Sequence, residues 1–495
     1  MRRRNLLSLS VVILAGVTLS FPAFAEHQNA EQSGHRIVER LGSMPKPDGP
    51  FVHSDDGCHM GYVTRVPGGM SVFVDGKIGP TYDMFVTGSL VLSSDGKRMA
   101  YGAVKDGRFL VVIDGQEFSA RGTPVFSSDG KRVAYPARRD DRWLVVVDGQ
   151  EGPPYLSVST PLFSPDGRRL AYVAAKDGKW FVVVDGQESA PYYGIGKGTP
   201  VYSPDGQRLA YMARKGGKWL VVVDGQEDAP YDGMTTPLFS PDGKRVAYGA
   251  KKDDRTFVVV DGQEGPLYGA IMAGGPVFSP DSSRVGYGAS KADKWLVVVD
   301  GREGPLYGGI LKGTPLFGAD GKRTAYGATK DDKWFVVVDA QEGPAYDEIS
   351  ELLLSSDGKR VAYVARKGDK WLLVVDGQEG PAYDGVSELV LSSDGKRVAY
   401  VARKGDKWLL VVDGQEGRPY DEIAGRPIFS PDGKHVAYGA KKGDKWLVCI
   451  DGQEDPIYDR IVEGGPTFHK DGILEYLGVA DGVLFRVKHQ AWGAI

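Results

Sequence analysis

Carboxylates are the commonest side chains in this sequence that could do acid–base chemistry, and they recur at a regular spacing. The Asp of a Ser-Pro-Asp-Gly type of turn returns every 34 to 39 residues. Its twelve positions are Asp56, Asp95, Asp129, Asp166, Asp205, Asp242, Asp281, Asp320, Asp357, Asp394, Asp432 and Asp471. Carboxylate catalysis needs two groups in unequal environments. Repetition makes these environments alike, so we predict no catalytic residue and expect each Asp to cap its own turn.

Histidine and cysteine come together at one place, residues 53–59, which read His-Ser-Asp-Asp-Gly-Cys-His. His469 lies near them only if the chain closes into one large ring. Zinc ligands follow recognisable spacings, and none is present here, so we predict no metal ion and no cofactor. Cys449 stands in an apolar run, which favours a small buried hydrophobe over a disulfide with Cys58.

Lysine forms the third recurrent set, because it directly precedes a Trp and an apolar run in seven places. These lysines are Lys179, Lys218, Lys294, Lys333, Lys370, Lys407 and Lys445. A surface of one charge attracts partners of the other, so we predict that they bind an anionic component of the cell envelope or an acidic protein. The alternative is that they keep loops soluble and protect strand edges.

All three sets are positioned by one repeat of about 37 residues. In its clearest copies, strand a (236–240) ends in the Pro-Asp-Gly turn and strand b (245–250) follows. A charged loop then leads to the apolar strand c (219–224 in the preceding copy), and Asp-Gly turns the chain into strand d at Gly-Pro-x-Tyr. Asp-Gly between β-rich runs is a strong hairpin signal. Four short strands per copy predict an all-β protein, a β-propeller of twelve four-stranded blades.

The loops of such blades divide between two faces of the disc. The a–b and c–d turns share one face, here called the turn face, and the b–c loops and d–a connections share the other, called the loop face. The seven lysines lie on the loop face, whereas the Asp-Gly-Gln-Glu sequences of the c–d turns give the turn face negative charge. We therefore expect the two faces to differ in charge.

The sequence Ser-Pro-Asp-Gly-Lys-Arg-Val-Ala-Tyr at 240–248 resembles the WD40-like blades of TolB-type periplasmic proteins. The resemblance covers residues 51–488 and implies a propeller. Neither the α/β domain of TolB nor the hydrolase domain of prolyl-oligopeptidase-like enzymes is recognisable, so we expect a protein made of the propeller alone.

The number of rings follows less directly from the repeat. Propellers usually have about four to eight blades, so we predict two six-bladed rings, residues 51–266 and 267–495, with one twelve-bladed ring as the alternative. The strand-c Trp is missing from copies one, two, six and twelve, so both closing copies of the two-ring model lack it. The segment 26–50 contains a possible ring-closing strand at 35–41.

The first 25 residues predict an export signal. Arg2, Arg3 and Arg4 precede an apolar core at 6–20, and Ala23-Phe24-Ala25 has the small-x-small cleavage pattern. We expect cleavage near Ala25 and a periplasmic or secreted protein without a stable membrane span in the mature chain. A net charge of −4 gives no indication of nucleic-acid binding.

Near-identity between neighbouring copies bears on function. Residues 350–384 and 387–421 differ at three of 35 positions. Such blades encode a distributed binding surface more readily than one asymmetric catalytic site. We predict an exported, non-enzymatic module that binds or scaffolds a protein or an anionic envelope partner. The alternative is a hydrolase or lyase of envelope polymers with its site in the channel, which requires irregular polar residues on the inner strands.

Overall fold

The computed structural model describes residues 30–33, 36–55, 59–462 and 465–490, and these form twelve antiparallel sheets in one closed ring. Each sheet is a blade with strands a, b, c and d in chain order. No helix occurs in these residues, which confirms the all-β propeller. The predicted export signal at 1–25 lies outside the described residues.

Strands b and c form the middle of every blade, and their apolar side chains are buried on both faces because a neighbouring blade covers each side. Strand b of blades 1 to 12 runs over Met60–Val66, Met99–Lys105, Val133–Arg139, Leu170–Lys176, Leu209–Lys215, Val246–Lys252, Val285–Lys291, Thr324–Lys330, Val361–Lys367, Val398–Lys404, Val436–Lys442 and Leu474–Ala480. Strand c runs over Gly69–Val74, Arg108–Ile113, Arg142–Val147, Lys179–Val184, Lys218–Val223, Arg255–Val260, Lys294–Val299, Lys333–Val338, Lys370–Val375, Lys407–Val412, Lys445–Ile450 and Val483–His489.

Strand a is innermost, because it contacts strand a of the next blade at several interfaces, and in most blades an irregular stretch divides it. Its segments in blades 1 to 12 are Val52–His53; Met84–Phe85 and Val91–Leu92; Val125–Phe126; Ser157–Val158 and Leu162–Phe163; Gly194–Ile195 and Val201–Tyr202; Gly233–Met234 and Leu238–Phe239; Ala270–Ile271 and Val277–Phe278; Gly309–Ile310 and Leu316–Phe317; Glu348–Leu354; Gly385–Leu391; Glu422–Phe429; and Arg460–Ile461 and Thr467–Phe468.

Strand d is short and exposed, as suits an outer edge strand. In blades 1 to 11 it covers Lys77–Ile78, Gln116–Ser119, Gln150–Glu151, Gln187–Glu188, Gln226–Glu227, Gln263–Glu264, Arg302–Glu303, Gln341–Glu342, Gln378–Tyr383, Gln415–Tyr420 and Gln453–Glu454. Blade 12 takes its outer strand from the other end of the chain, as described below.

The turns have the chemistry that the repeat predicts. In blade 6, Asp261 and Gly262 of the c–d turn have φ values of 51° and 77°, which is the conformation that Asp-Gly favours in tight hairpins. In the a–b turn, the Asp242 carboxylate accepts the backbone N–H of Lys244 at 3.1 Å and the hydroxyl of Ser240 at 2.6 Å. The expectation that this Asp caps its own turn is confirmed.

Apolar clusters between successive blades show that there is one ring. Between blades 6 and 7, Val258 packs with Val285 and Leu296, as the equivalent residues do elsewhere. Blade 12 packs against blade 1 through Leu477, Leu484 and their neighbours. The expected pair of six-bladed rings is therefore wrong. The missing Trp of blade 6 was a misleading signal, because Thr256 forms the same backbone bridge to Tyr268 that Trp forms in other blades.

One arginine at the start of strand b, here called the blade clamp, joins each blade to the next. In blade 6, Arg245 Nε donates to Asp261 of its own blade at 2.9 Å, and Nη1 donates to the Ser283 carbonyl of blade 7 at 3.1 Å. Its guanidinium also lies 5.5 Å from the ring centre of Phe278 in blade 7. The clamps of blades 2 to 10 are Arg98, Arg132, Arg169, Arg208, Arg245, Arg284, Arg323, Arg360 and Arg397.

The tyrosine at the end of strand d makes a second contact between blades. Tyr268 of blade 6 meets Tyr287 of blade 7 edge to face, with ring centres 6.1 Å apart. In blades 8, 9 and 10 the hydroxyls of Tyr346, Tyr383 and Tyr420 donate to Glu379, Glu416 and Glu454 of the following blade. These tyrosine hydroxyls therefore link neighbouring blades.

The ring closes where the two ends of the chain share blade 12. Arg36–Ser43 pairs antiparallel with Val483–His489 and serves as the outer strand of that blade. Ala30–Ser33 adds a further strand outside it. The position that holds the clamp elsewhere is Ile473 in blade 12, and His59 and His435 in blades 1 and 11. The three interfaces around the closure therefore depend on other contacts.

Buried charges supply such contacts at two of these interfaces. Between blades 12 and 1, Arg486 pairs with Glu475 at 3.0 Å, with Asp75 at 3.2 Å and with Glu39 of the closing strand at 3.2 Å. Between blades 11 and 12, Asp455 accepts hydrogen bonds from Tyr476 and from Arg36 of the closing strand. Buried pairs of this kind add specificity to packing, because a wrong pairing leaves a charge unsatisfied.

We expect Arg245→Ala to lower the free energy of unfolding by about 1–2 kcal/mol, because it removes a charge-assisted bond to the next blade at a partly exposed site. Urea unfolding measures the change. Lys244→Ala is the matched control in the same turn, since the Lys244 side chain is 82% exposed, and it should stay within about 0.5 kcal/mol of the original chain. Equal losses for both variants would contradict the clamp.

The charge on Asp455 gives a pH-dependent prediction. Burial raises the pKa of this carboxyl, but hydrogen bonds from His489 and Tyr476 and the charge of Arg36 outweigh burial and hold the pKa below the ordinary 3.8. Its contribution is therefore complete above the ordinary pKa and is lost as the pH falls through the lowered one. At pH 7 we expect Asp455→Asn to cost about 2–4 kcal/mol, and less in acid.

Unfolding of both chains at pH 7 and below about pH 3 tests this. The control is Asp228→Asn at the same repeat position in blade 5, where the carboxylate accepts a bond from Tyr248 at 2.6 Å and has no cation partner among the described residues. It should cost less than Asp455→Asn at pH 7. A loss at Asp455 that does not shrink in acid would contradict the assignment.

Candidate binding face

The seven predicted lysines all begin strand c on the loop face, but most are paired there. Lys218, Lys333, Lys370, Lys407 and Lys445 each form an ion pair with the Asp of the following d–a connection. For Lys333 and Lys370 the distance to Asp347 and Asp384 is 2.5 Å. These five lysines therefore contribute less net charge to the loop face than the sequence suggests.

The aspartates of these pairs have a second partner. Asp384 also accepts the backbone N–H of Gly405, in the b–c loop of the next blade, at 2.7 Å. The hydrogen bond from Lys370 and then the one from Gly405 lower the pKa of Asp384. The carboxylate thus stays charged at neutral pH and joins two blades across the loop face. Asp232, Asp347, Asp421 and Asp459 accept the corresponding pair of bonds.

Two of the predicted lysines lack this aspartate. The connection after blade 7 has Gly308 where the Asp stands elsewhere, and Lys294 has no carboxylate partner among the described residues. The connection after blade 4 has Tyr193, and the Lys179 ammonium lies 3.2 Å from the centre of its ring. The charges of Lys179 and Lys294 are therefore the ones available to an anionic partner.

The strand-c tryptophan is uncovered in blade 4. In blades 5, 9 and 10 an arginine of strand b lies over the indole: Arg214 over Trp219, Arg366 over Trp371 and Arg403 over Trp408. In blade 4 the residue paired with Trp180 is Ala175, which is too short to cover it. Trp180 is consequently 39% exposed.

Leu156, Trp180 and Tyr193 are exposed and lie near one another at the loop-face edge, and together they are here called the aromatic patch. The Leu156 N–H donates to the Ala175 carbonyl at 2.8 Å, and Ala175 pairs with Trp180. Trp180 bridges to Tyr192, next to Tyr193. Leu156 is 59% exposed and Tyr193 is 65% exposed, so three large apolar side chains face solvent along the loop-face edge of one blade. Sequence reasoning did not single out this surface.

Two glutamates at the channel were also not predicted. Glu351 and Glu388 lie in bulges of strand a in blades 9 and 10, with φ values of 48° and 55° that non-glycine residues rarely adopt. The Glu351 carboxylate accepts the backbone N–H groups of Glu388 at 3.1 Å and Leu389 at 2.7 Å. In the next blade, Arg426 donates to the Leu389 carbonyl at 2.8 Å. Glu351 and Arg426 thus tie inner strands together.

Shallow grooves recur between blades on the turn face. The groove between blades 9 and 10 has a volume of about 540 Å³ and is lined by Arg360, Asp376, Glu379, Lys396 and other residues. Equivalent grooves lie between blades 4 and 5 and between blades 5 and 6. Arg360 and Asp376 belong to the clamp, and Glu379 accepts a bond from Tyr346. The grooves are therefore lined by the residues that join neighbouring blades.

The histidines considered as metal ligands belong to the closure. His59 Nδ1 lies 2.5 Å from Asp75, and His469 Nε2 lies 3.3 Å from Glu475. Arg486 stands between the two carboxylates. No group of three side chains suited to a metal ion occurs in the described residues, but Asp56 and Cys58 lie outside them, so the absence of a metal stays a prediction.

Cys449 is fully buried next to the Tyr420 hydroxyl, 3.1 Å from its sulfur, which confirms the prediction of a buried small hydrophobe. Burial raises the pKa of its thiol. In the part of the chain that the structure describes, no helix has the length and apolar character needed to cross a membrane.

Comparisons with known proteins add a likeness of fold. No family model matches the sequence, and no curated protein matches it. A solved structure described as a eukaryotic initiation factor is 11% identical, with a TM-score of 0.32 over 65% of this chain and 97% of that one. TolB from Acinetobacter baumannii is 14% identical, with a TM-score of 0.25 over 60% and 79%. The propeller domain of the Trilobed protease from Pyrococcus furiosus is 15% identical, with a TM-score of 0.27 over 60% and 97%.

TolB is thus among the solved structures to which this chain is similar, whereas no family model assigns the repeat to a family.

Replacing Tyr193 with the Asp found at this position in other blades should restore the missing bonds between blades. We expect Tyr193→Asp to leave the Tm unchanged or raise it, because the new carboxylate can pair with Lys179 and accept the N–H of Gly216 in the next b–c loop. The reverse exchange in blade 9, Asp384→Tyr, should lower the Tm, since it removes the bonds from Lys370 and Gly405. Thermal unfolding of both variants measures this, and a lower Tm for Tyr193→Asp would show that Tyr193 is structural.

Proposed function

We propose that this protein is a non-enzymatic ring that binds an anionic partner, a protein or a component of the cell envelope, through its loop face. The observation that carries the proposal is that two of the predicted lysines, in blades 4 and 7, lack the aspartate with which the other five pair. The connections there have Tyr193 and Gly308 in place of Asp, and Lys179 and Lys294 keep charges without a carboxylate partner among the described residues.

The arrangement of the charged residues supports binding over catalysis. Catalytic carboxylates need unequal environments, whereas the clamp aspartates and the loop-face aspartates accept the same bonds in blade after blade. Glu351, an irregular carboxylate of an inner strand, is engaged by two backbone N–H groups of the next blade. These contacts favour the binding module over a hydrolase or lyase in the channel.

A rigid ring suits a scaffold outside the cytoplasm. We propose export on the basic and apolar segments of residues 1–25. The interblade clamps and the buried charges at the closure hold the blades together, so the loop face is a preformed surface. A preformed surface loses little conformational entropy on binding.

Binding of the mature chain to three anionic probes tests the proposal: polyglutamate, polygalacturonate and phosphatidylglycerol vesicles, each at low and high salt. We expect at least one probe to bind at low salt and to lose most of its affinity in Lys179→Glu/Lys294→Glu. The control with the same charge change, Lys322→Glu/Lys359→Glu, alters exposed lysines of the turn face and should keep its affinity. No binding, or equal loss in both variants, would overturn the proposal.

A further inference from the structure

Three departures from the repeat converge on one blade edge. Leu156 and Tyr193 replace the aspartate of two successive d–a connections, and Ala175 stands where an arginine of strand b covers the tryptophan in blades 5, 9 and 10. Each change exposes apolar surface. Two of them also remove the bond from a connection aspartate to the next b–c loop, which blades 5, 8, 9, 10 and 11 retain.

A change that gives up an interblade bond and exposes apolar surface is costly for the fold alone. Clusters of exposed apolar residues on soluble proteins mark interaction sites. The residues of the aromatic patch lie near one another at the loop-face edge, because backbone hydrogen bonds and strand pairing link Leu156 through Ala175 to Trp180 and Tyr192. Trp and Tyr are also the residues that most often dominate binding energy in protein interfaces.

Two cations next to the aromatic patch have no carboxylate partner among the described residues. Arg142 begins strand c of blade 3 at the position of the paired lysines, but the connection there has Leu156, and Arg142 has no carboxylate partner among the described residues. Lys179 has only the ring of Tyr193. A partner that covers the patch therefore meets two cations that need carboxylates.

We propose that the aromatic patch, with Arg142 and Lys179, binds a protein segment in which apolar side chains are flanked by Asp or Glu. The inference rests on the proposed function and names its partner class. The apolar side chains of the segment cover Leu156 and Trp180, and its carboxylates pair with Arg142 and Lys179.

The side chains of the patch favour a protein over a polysaccharide. Sugars stack on flat aromatic faces, and the Lys179 ammonium occupies one face of the Tyr193 ring. Leu156 offers a branched apolar surface without a flat face, which an apolar side chain buries better. A site with one open ring and one open leucine thus matches an acidic, apolar peptide.

Selection from a displayed library of random twelve-residue peptides on the immobilised full chain tests the proposal. We expect the enriched peptides to be rich in Asp, Glu and large apolar residues. A synthetic peptide of the enriched sequence should bind at least tenfold more weakly to Leu156→Asp/Tyr193→Asp. The matched control Asp384→Asn/Asp421→Asn changes the same connection position in blades 9 and 10 and should bind as the original chain does. Circular dichroism melting confirms that each variant is folded.

The remaining outcomes overturn the proposal. These are no enrichment, enrichment of peptides without acidic residues, or equal weakening in the control. If polygalacturonate or the vesicles bind and lose affinity in Leu156→Asp/Tyr193→Asp while no peptide is enriched, the partner class is wrong and the proposed binding function stands. If no probe of any kind binds, both fail.

Discussion

The contact between the arginine at the start of strand b and the next blade sets the geometry of nine of the twelve interfaces. A blade of four short strands has an apolar surface on both sides and is covered only when a neighbour stands at the right distance and angle. The clamp fixes that relation, because one guanidinium holds the c–d turn of its own blade and the a–b turn of the next. Nine successive interfaces use this contact, so at each of them the next blade has the same distance and angle to the one before it. The same geometry at the interface of blades 6 and 7 makes a single ring.

A contact that repeats at every blade cannot specify where the two ends of the chain meet. Twelve blades with identical sides have nothing to mark where the chain should meet itself, and a chain of this kind is open to pairing in the wrong register. Blade 12 differs on both sides: Asp455 faces Arg36 of the incoming strand, and Arg486 faces Glu39 of that strand together with Asp75 of blade 1. A buried charge penalises a partner that cannot neutralise it. The seam is therefore specified by charge, whereas the other interfaces are specified by the clamp and by packing.

The sequence was sufficient for the anatomy of a blade and insufficient for the ring and the binding face, for physical reasons. Asp-Gly favours positive φ at both residues, so the hairpins follow from local chemistry. The number of rings depends on contacts between blades, and the absent Trp of blade 6 was misleading because its backbone bridge does not need the indole. The loop-face lysines begin strand c, and their pairing with aspartates 14 residues later requires the d–a connection to fold back beside strand c, which the sequence does not show. The aromatic patch could have been found from Ala175, Leu156 and Tyr193 as departures from the repeat, since regularity makes exceptions visible.

The residues that repeat stabilise the ring, and the residues that depart from the repeat form the proposed binding surface. The repeated ion pairs build a frame, and blades 3 to 5 give up part of that frame where they expose Trp180 and its neighbours. Hydrogen–deuterium exchange of the mature chain, resolved by mass spectrometry, tests the frame most directly. One ring closed by the chain ends predicts that Arg36–Ser43 and the strands of blade 12 exchange first, and that strands b and c of blades 6 and 7 are protected as well as those of blades 8 and 9. Rapid exchange at blades 6 and 7, as fast as at the closure, would contradict it.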